Sequence, residues 1–311
     1  MQLLMRALVL PFATTVLVAC SNTPAADGAA GGSSSGGAAD GGAGGSSSGG
    51  SSAAGGSTSD GGSASGGSAD GGSAGGFFGA SRCELGQFAL CDGFEASTID
   101  SERWTIGKSE GNTVERVSDQ AARGSGSVHV RTLNGFGYLS TSSIFPAAGN
   151  GYFGRVFLRV ARYSTVDWAH WTVAEAAGTG DGSKIRVGGQ FVTSQAKNRW
   201  GVGSDGGPTG DWTNHDTDPG GAPLEPPLGS WTCLEWQHDG ATNTTRFYVD
   251  SIEHPSLLTT ASEHGGTNVP YELPQMNSLW VGWWQYQADP TAFDVWIDEV
   301  ALDDERIGCE R

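Results

Sequence analysis

From Ser183 to Val192 the side chains alternate without a break. Ile185, Val187, Gly189 and Phe191 fall on one side, and Lys184, Arg186, Gly188 and Gln190 on the other. A period of two belongs to an extended strand, whose successive side chains point to opposite faces. One face therefore packs in a core and the other is wet. Similar runs occupy Ser127 to Leu133, Tyr152 to Ala161, Trp168 to Ala174, Trp231 to His238, Thr245 to Val249, Leu279 to Gln287 and Val295 to Leu302. Clusters of Gly, Pro, Asn and Asp separate them, as at Asp205 to Pro208 and Asp218 to Pro227. No long amphipathic helix competes. The pattern predicts an all-β, two-sheet antiparallel sandwich, a jelly roll whose curved inner sheet can present a wet groove.

The strands begin only after a segment of different character. Gly, Ser and Ala fill 50 of the 60 positions from Ser21 to Ala80, and that stretch holds no Lys, Arg or Glu. Without apolar surface to bury, it cannot offset the entropy of ordering and is expected to be a disordered tether. A Gly/Ser coil of ~50 residues has a root-mean-square span of about 40 Å. Ahead of it, Arg6, the apolar stretch Ala7 to Val18 and the ending Leu17-Val18-Ala19-Cys20 read as an export signal, too short to span a bilayer. Those four residues resemble a bacterial lipobox. The resemblance implies cleavage after residue 19 and acylation of Cys20, so that the protein sits in the bacterial cell envelope, lipid-anchored and surface-exposed or secreted. The domains expected are a signal peptide over 1–19, the acylated tether over 20–80 and a β-domain over 81–311, a monomer that touches membrane through its lipid alone.

Charge narrows the partners. The chain has 17 basic against 34 acidic side chains, a formal charge of -17. Nucleic acid is therefore excluded, because a phosphate-binding surface needs clustered Lys and Arg. All eleven Trp fall between Trp104 and Trp296. An indole can stack on the C–H face of a sugar ring, and Trp168, Trp200, Trp212 and Trp284 are the stacking candidates, although most Trp simply pack in cores. Four cysteines follow the tether, an even number in an exported chain, which points to disulfides rather than metal thiolates. Three pairings are possible. Joining the near neighbours Cys83 and Cys91 leaves Cys233 with Cys309, and this connectivity is preferred. No nucleophile elbow, P-loop or dinucleotide fingerprint is present.

Three stretches carry a resemblance: Cys91-Asp92-Gly93-Phe94-Glu95 with Trp104; Lys184 through Gln190; and Val281-Gly282-Trp283 with Tyr286, running on to Trp296-Ile297-Asp298-Glu299 and Gly308-Cys309. In this order they resemble the core domain of the fungal cellulose-induced secreted proteins. That family consists of concanavalin-like, polysaccharide-lyase-like jelly rolls related to glucuronan and alginate lyases. Cys233, ahead of Glu235 and Trp236, and Cys309 match the family's cysteines, which supports the pairing above.

The resemblance also implies a site. It places a structural calcium ion on the side chains of Glu95 and Asp298, with Gly93 and Arg123 at the positions that supply main-chain oxygens; Gly126 stands where the family has Asn. For activity it implies β-elimination on a uronic acid. The C5 proton leaves beside a neutralised carboxylate, a base accepts it, and an acid serves the departing O4. Arg186 and Gln190 match cleft residues; lying four apart on one strand, they share a face at a separation of about 13 Å. His170 is the preferred base. Tyr286 is the acid or the alternative base. Lys184, Arg199, Asp205 and Trp284 are expected to contact substrate, Lys184 replacing a His of the family. The function expected is cleavage of a uronic-acid-containing polysaccharide, with a non-catalytic carbohydrate-binding lipoprotein as the alternative.

Overall fold

A computed structural model describes residues 79–84, 86, 88–178, 184–205, 211–214, 225–262 and 273–310, and of 204, 205 and 211–214 the main chain alone. Cys20 and most of the tether lie outside these residues. Among the described residues, the strands are β1 (Leu90–Asp92), β2 (Thr105–Lys108), β3 (Thr113–Val117), β4 (Ser127–Thr132), β5 (Gly135–Thr141), β6 (Tyr152–Val160), β7 (His170–Gly178), β8 (Lys184–Val192), β9 (Lys197–Asp205), β10 (Asp211–Asn214), β11 (Thr232–Asp239), β12 (Thr244–Val249), β13 (Ile252–Glu253), β14 (Met276–Gln285) and β15 (Phe293–Asp303). Three single 3-10 turns are the remaining elements, and no helix among the described residues is long and apolar enough to cross a membrane.

The strands form two antiparallel sheets, a jelly-roll sandwich. The first has the order β13-β12-β11-β6-β15-β4-β3, with β1 added along the end of β15, and the second has the order β10-β9-β8-β7-β14-β5-β2. Strand β15 is long enough to serve two partners on one side: residues 293–297 pair with β4 and residues 300–302 with β1. Between these halves the register against β6 shifts, with Glu299 in the left-handed region at φ 49. That bulge turns Glu299 to the same side of the sheet as Asp298, and both are fully buried there.

The inner faces meet in an aromatic core. Trp171 of β7 stacks on Trp283 of β14 with centroids 5.2 Å apart and planes 13° from parallel. Trp200 of β9 meets Trp171 edge-on at 5.4 Å and reaches Phe247 of the first sheet at 5.7 Å. Trp200 is 1% exposed, which corrects the expectation that it stacks on a ligand. Its position alternates with Arg199 and Gly201, and inner-face parity sends it to the core. The run expected from Trp168 also starts late: residues 166–169 form a turn closed by Ala169 N to Val166 O at 3.0 Å, and β7 begins at His170.

The chain ends build over part of the outer face of the first sheet. Glu235 Oε1 accepts the Ile307 and Gly308 amides at 2.9 and 2.7 Å, and its Oε2 accepts Arg306 Nε at 2.9 Å. Glu299 accepts Ser81 Oγ at 2.5 Å and the Arg82 amide at 2.9 Å, and it pairs with Arg155 at 3.2 Å and Arg123 at 3.5 Å. Disulfides join Cys83 to Cys91 and Cys233 to Cys309. A wet face with clustered polar and aromatic side chains remains on the second sheet.

Candidate functional site

Register lays out the outer face of the second sheet row by row. In one row Trp280, Glu175, Arg186 and Gly203 stand side by side across β14, β7, β8 and β9. The next holds Phe136, Trp284, Thr172, Gly188 and Gly201. The third holds His170, Gln190 and Arg199, and the Tyr286 amide donates to the His170 carbonyl at 3.1 Å just past the end of β14. Glycines at 188, 201 and 203 put no side chain on this part of the face. Gly188 is also required by backbone approach: a Cβ there would lie 2.1 Å from the Trp171 carbonyl oxygen.

His170, Arg186, Gln190 and Tyr286 share this face. The parity of Arg186 and Gln190 is kept because β8 pairs with β9 without a register shift; the irregularity lies in β7, between Thr172 and Ala174. The two differ in burial, Gln190 being 5% exposed and Arg186 half-buried. The Arg186 guanidinium lies over the Tyr286 ring at 5.0 Å from its centroid, and Thr172 Oγ1 donates to the Tyr286 hydroxyl at 3.4 Å. The His170 ring faces Gln287 Nε2 through Nδ1 at 3.4 Å and is hydrogen-bonded to the main chain of Trp168.

These contacts set the protonation states. Burial, and then the charge of Arg186, pushes the His170 imidazole below its ordinary value, so it is neutral at pH 7. Burial pushes the Tyr286 phenol up, although Arg186 and the Thr172 bond oppose it, so it keeps its proton. A neutral imidazole and a protonated phenol on one face form an acceptor and donor pair around an arginine.

The residues expected at substrate contacts are placed less uniformly. Lys184 Nζ is 3.2 Å from Glu175 Oε1 and 5.9 Å from the Trp284 ring centroid. Arg199 donates twice to Gln195 Oε1, at 3.0 and 2.6 Å. Trp284 stacks on Tyr286 at 5.0 Å and 9° and meets Phe136 at 4.8 Å, so protein rings occupy its flanks and it offers mainly an edge. Asp205 pairs with Lys184 in the main-chain ladder and Trp212 with Gly203, but both side chains lie outside the described residues. Trp168 is 52% exposed beside His170.

Glu175 is the group that sequence reasoning missed. It is buried on this face, opposite Arg186 in register, and its Oε1 accepts Trp280 Nε1 at 3.1 Å in addition to the Lys184 contact. A carboxylate inside the apolar run Val173 to Ala177 was the available signal, since an acid is rarely buried without a partner.

Glu95 and Asp298 grip opposite ends of one loop. Asp298 Oδ2 accepts the Ala122 and Arg123 amides at 2.8 and 3.0 Å, and Oδ1 accepts the Glu299 amide at 2.7 Å. Glu95 accepts the Ser125 amide at 3.0 Å and its hydroxyl at 2.7 Å. Asp298 is 0% exposed with main-chain partners only, and burial pushes it up to about 8. Its hydrogen bonds are all to main-chain amides, the Arg155 guanidinium interacts with its charge, and a carboxylate oxygen is the ligand type that a hard cation takes. No group of three His, Cys, Asp or Glu that could hold a metal occurs among the described residues. A calcium ion here would depend on two carboxylates and on backbone oxygens.

No family model and no curated protein matches the chain in sequence. Among solved structures, the chain is similar to the cellulose-induced protein Cip1, with 20% identity, a TM-score of 0.55, and coverage of 71% of this chain and 99% of that one. An endo-β-1,4-glucuronan lyase from the fungus Trichoderma reesei aligns at 12% identity and a TM-score of 0.47, over 70% and 96% of the two chains. A β-1,3-glucanase from Mycobacterium marinum aligns at 15% identity and a TM-score of 0.45, over 70% and 99%. At these identities the likeness is one of architecture: the described domain has a Cip1-like jelly-roll fold.

Proposed function

We propose that this chain is an envelope lipoprotein whose sandwich cleaves a uronic-acid-containing polysaccharide by β-elimination. The observation that carries the proposal is the convergence on one sheet face of neutral His170, protonated Tyr286 and the Arg186 guanidinium. Arg186, with Gln190 in the next row but one, neutralises the substrate carboxylate and so acidifies the C5 proton. His170 accepts that proton. The electrons of the C5–H bond form the C4–C5 double bond, and the C4–O4 bond breaks as Tyr286 protonates O4. Tyr286 retains the proton that O4 receives, and His170 is neutral and ready to accept. Lys184, Arg199, Asp205 and Trp284 border the substrate chain.

Calcium is part of the same reading. The side chains of Glu95 and Asp298, with the carbonyls of Gly93 and Arg123, would hold it, and when bound it supplies positive charge and a cross-link between the first and last segments. The anchor is the lipid on Cys20; Cys20→Ser is expected to move the protein from membranes to the medium, and unchanged partition would defeat that assignment.

Incubation with polyglucuronate and alginate, followed by absorbance of the unsaturated product, tests the reading. Product from the wild type that is lost in His170→Ala and Arg186→Ala supports it; no product from any uronate polymer sinks it. One observation favours a second reading, a non-catalytic module for neutral glycans: Lys184, a cation available to meet an anionic polymer, is paired with Glu175. In that case Arg186→Ala lowers retention on polysaccharide and no product forms.

A further inference from the structure

Trp168 is an aromatic residue that the fold exposes at a cost. Its φ of 53 lies in the left-handed region, which bulky L-residues avoid, and its indole is the one aromatic side chain among the exposed large apolar groups of the described residues. Strain of this kind persists only where the surroundings over-determine it. They do so here. The Trp168 amide donates to Thr193 Oγ1 at 3.2 Å, Thr193 Oγ1 bonds to Asp167, Ala169 N closes the turn onto Val166 O at 3.0 Å, and Phe191 N binds the Ala169 carbonyl at 2.8 Å. The turn is therefore locked to the end of β8 with its ring held outward.

The position of the ring is informative. The turn that carries it also holds the His170 ring through the Trp168 main chain, two positions before the proposed base. The other aromatics on this face, Phe136, Tyr138, Trp280, Trp284 and Tyr286, contact one another at centroid distances of 4.8 to 6.1 Å. The Trp168 indole makes no ring or cation contact among the described residues. The sheet end that this turn leads into carries hydrogen-bonding groups: Gln190 is opposite His170 in register with Arg199 beyond it, Gln195 accepts from Arg199, and Gln287 accepts the His170 amide. An apolar plane with a polar rim matches a pyranose, which has an apolar C–H face and a rim of hydroxyls.

We infer that Trp168 is the stacking platform for the sugar unit adjoining the reacting one, a specificity-determining residue that fixes the register of the glycan chain against His170. This rests on the proposed glycan-acting function and adds a residue to it. The strain supplies the test. Trp168→Gly removes the ring and relieves the left-handed backbone, whereas Trp168→Phe keeps an aromatic face. Affinity is read from retardation in native gels cast with polyglucuronate, alginate or a mixed-linkage β-glucan, and Tm is measured in parallel. The expected result is an affinity about tenfold lower for Trp168→Gly, within about threefold of wild type for Trp168→Phe, and a Tm for Trp168→Gly equal to or above wild type. Wild-type affinity in Trp168→Gly overturns the platform alone. A fall in Tm together with equal loss in both variants shows a structural turn and also overturns it. A wild-type domain that none of the glycans retards overturns the platform and the glycan-acting function together.

Discussion

The Arg186 guanidinium lies 5.0 Å from the centroid of the Tyr286 ring, and its charge also depresses the basicity of His170. Burial sets the direction of both shifts, and this one cation adds to the lowering of His170 while opposing the rise of Tyr286. Removing it with Arg186→Ala is expected to raise the His170 pKa toward its ordinary value of about 6.5, because a nearby positive charge disfavours the imidazolium. The Tyr286 pKa should rise as well, since Arg186 at present opposes its upward shift. Histidine ring-proton titration by NMR measures the first shift, and no upward movement would show that the two groups are not coupled.

Cleavage depends on neutral His170. As the pH falls, activity should persist below about 6.5 and disappear only through the depressed constant of His170. Arg186→Lys, which keeps the charge, is expected to retain the acid limb while lowering the rate, because a lysine cannot reproduce the planar, forked contact. A limb centred above 6.5 would argue against His170 as the base.

Asp298 and His238 give stability opposite pH dependences. Asp298 is pushed up to about 8 by burial, so without metal the folded state holds a proton that the unfolded chain has lost, and stability falls as pH rises from about 4 to 8. His238 is fully buried and pushed down to about 3, so the unfolded chain binds the extra proton and stability falls as pH drops from about 6.5 to 3. Between pH 6.5 and 8 Asp298 acts without His238. Thermal melting in chelator should show Tm declining across that window. Saturating calcium, by binding the carboxylate, should raise Tm and remove the decline, and Glu95→Ala should weaken the response. Identical melts with calcium and chelator would exclude the metal.

The two disulfides should contribute unequally. In the chain-entropy model, the Cys233–Cys309 bridge closes a separation of 76 residues and contributes about 4.5 kcal/mol, against about 2.5 kcal/mol for Cys83–Cys91, which spans 8. Double serine variants compared by urea denaturation should therefore lose more stability at Cys233 and Cys309. The fully buried Cys233 adds a polar-burial cost in the same direction. The reverse order would show that the entrance loop, not the closing tail, limits unfolding.

Some features were decided by local chemistry and could be read from the chain alone. Alternation over residues 184–192 determined that Lys184, Arg186, Gly188 and Gln190 share a face, because side-chain parity in a strand is set by the backbone itself. The sandwich class followed from the many short alternating runs, and the small number of cysteines left few pairings. Tertiary structure decided what depends on which strands become neighbours. Strand β9 was missed because its glycines carry no hydrophobic signal, and only its pairing with β8 reveals that Gly203 stands beside Arg186 and Gly201 beside Gly188. Trp200, Trp284 and Trp168 look equivalent in sequence, yet one is in the core, one is flanked by aromatic rings and one is exposed in a left-handed turn. The bulge in β7 shifted Glu175 into the wet face, and the one in β15 turned Glu299 to the same outer side as Asp298, where the chain ends and the Ala122–Arg123 segment cover both. A bulge is one extra residue accommodated against a partner strand, and its position is set by packing between segments distant in sequence.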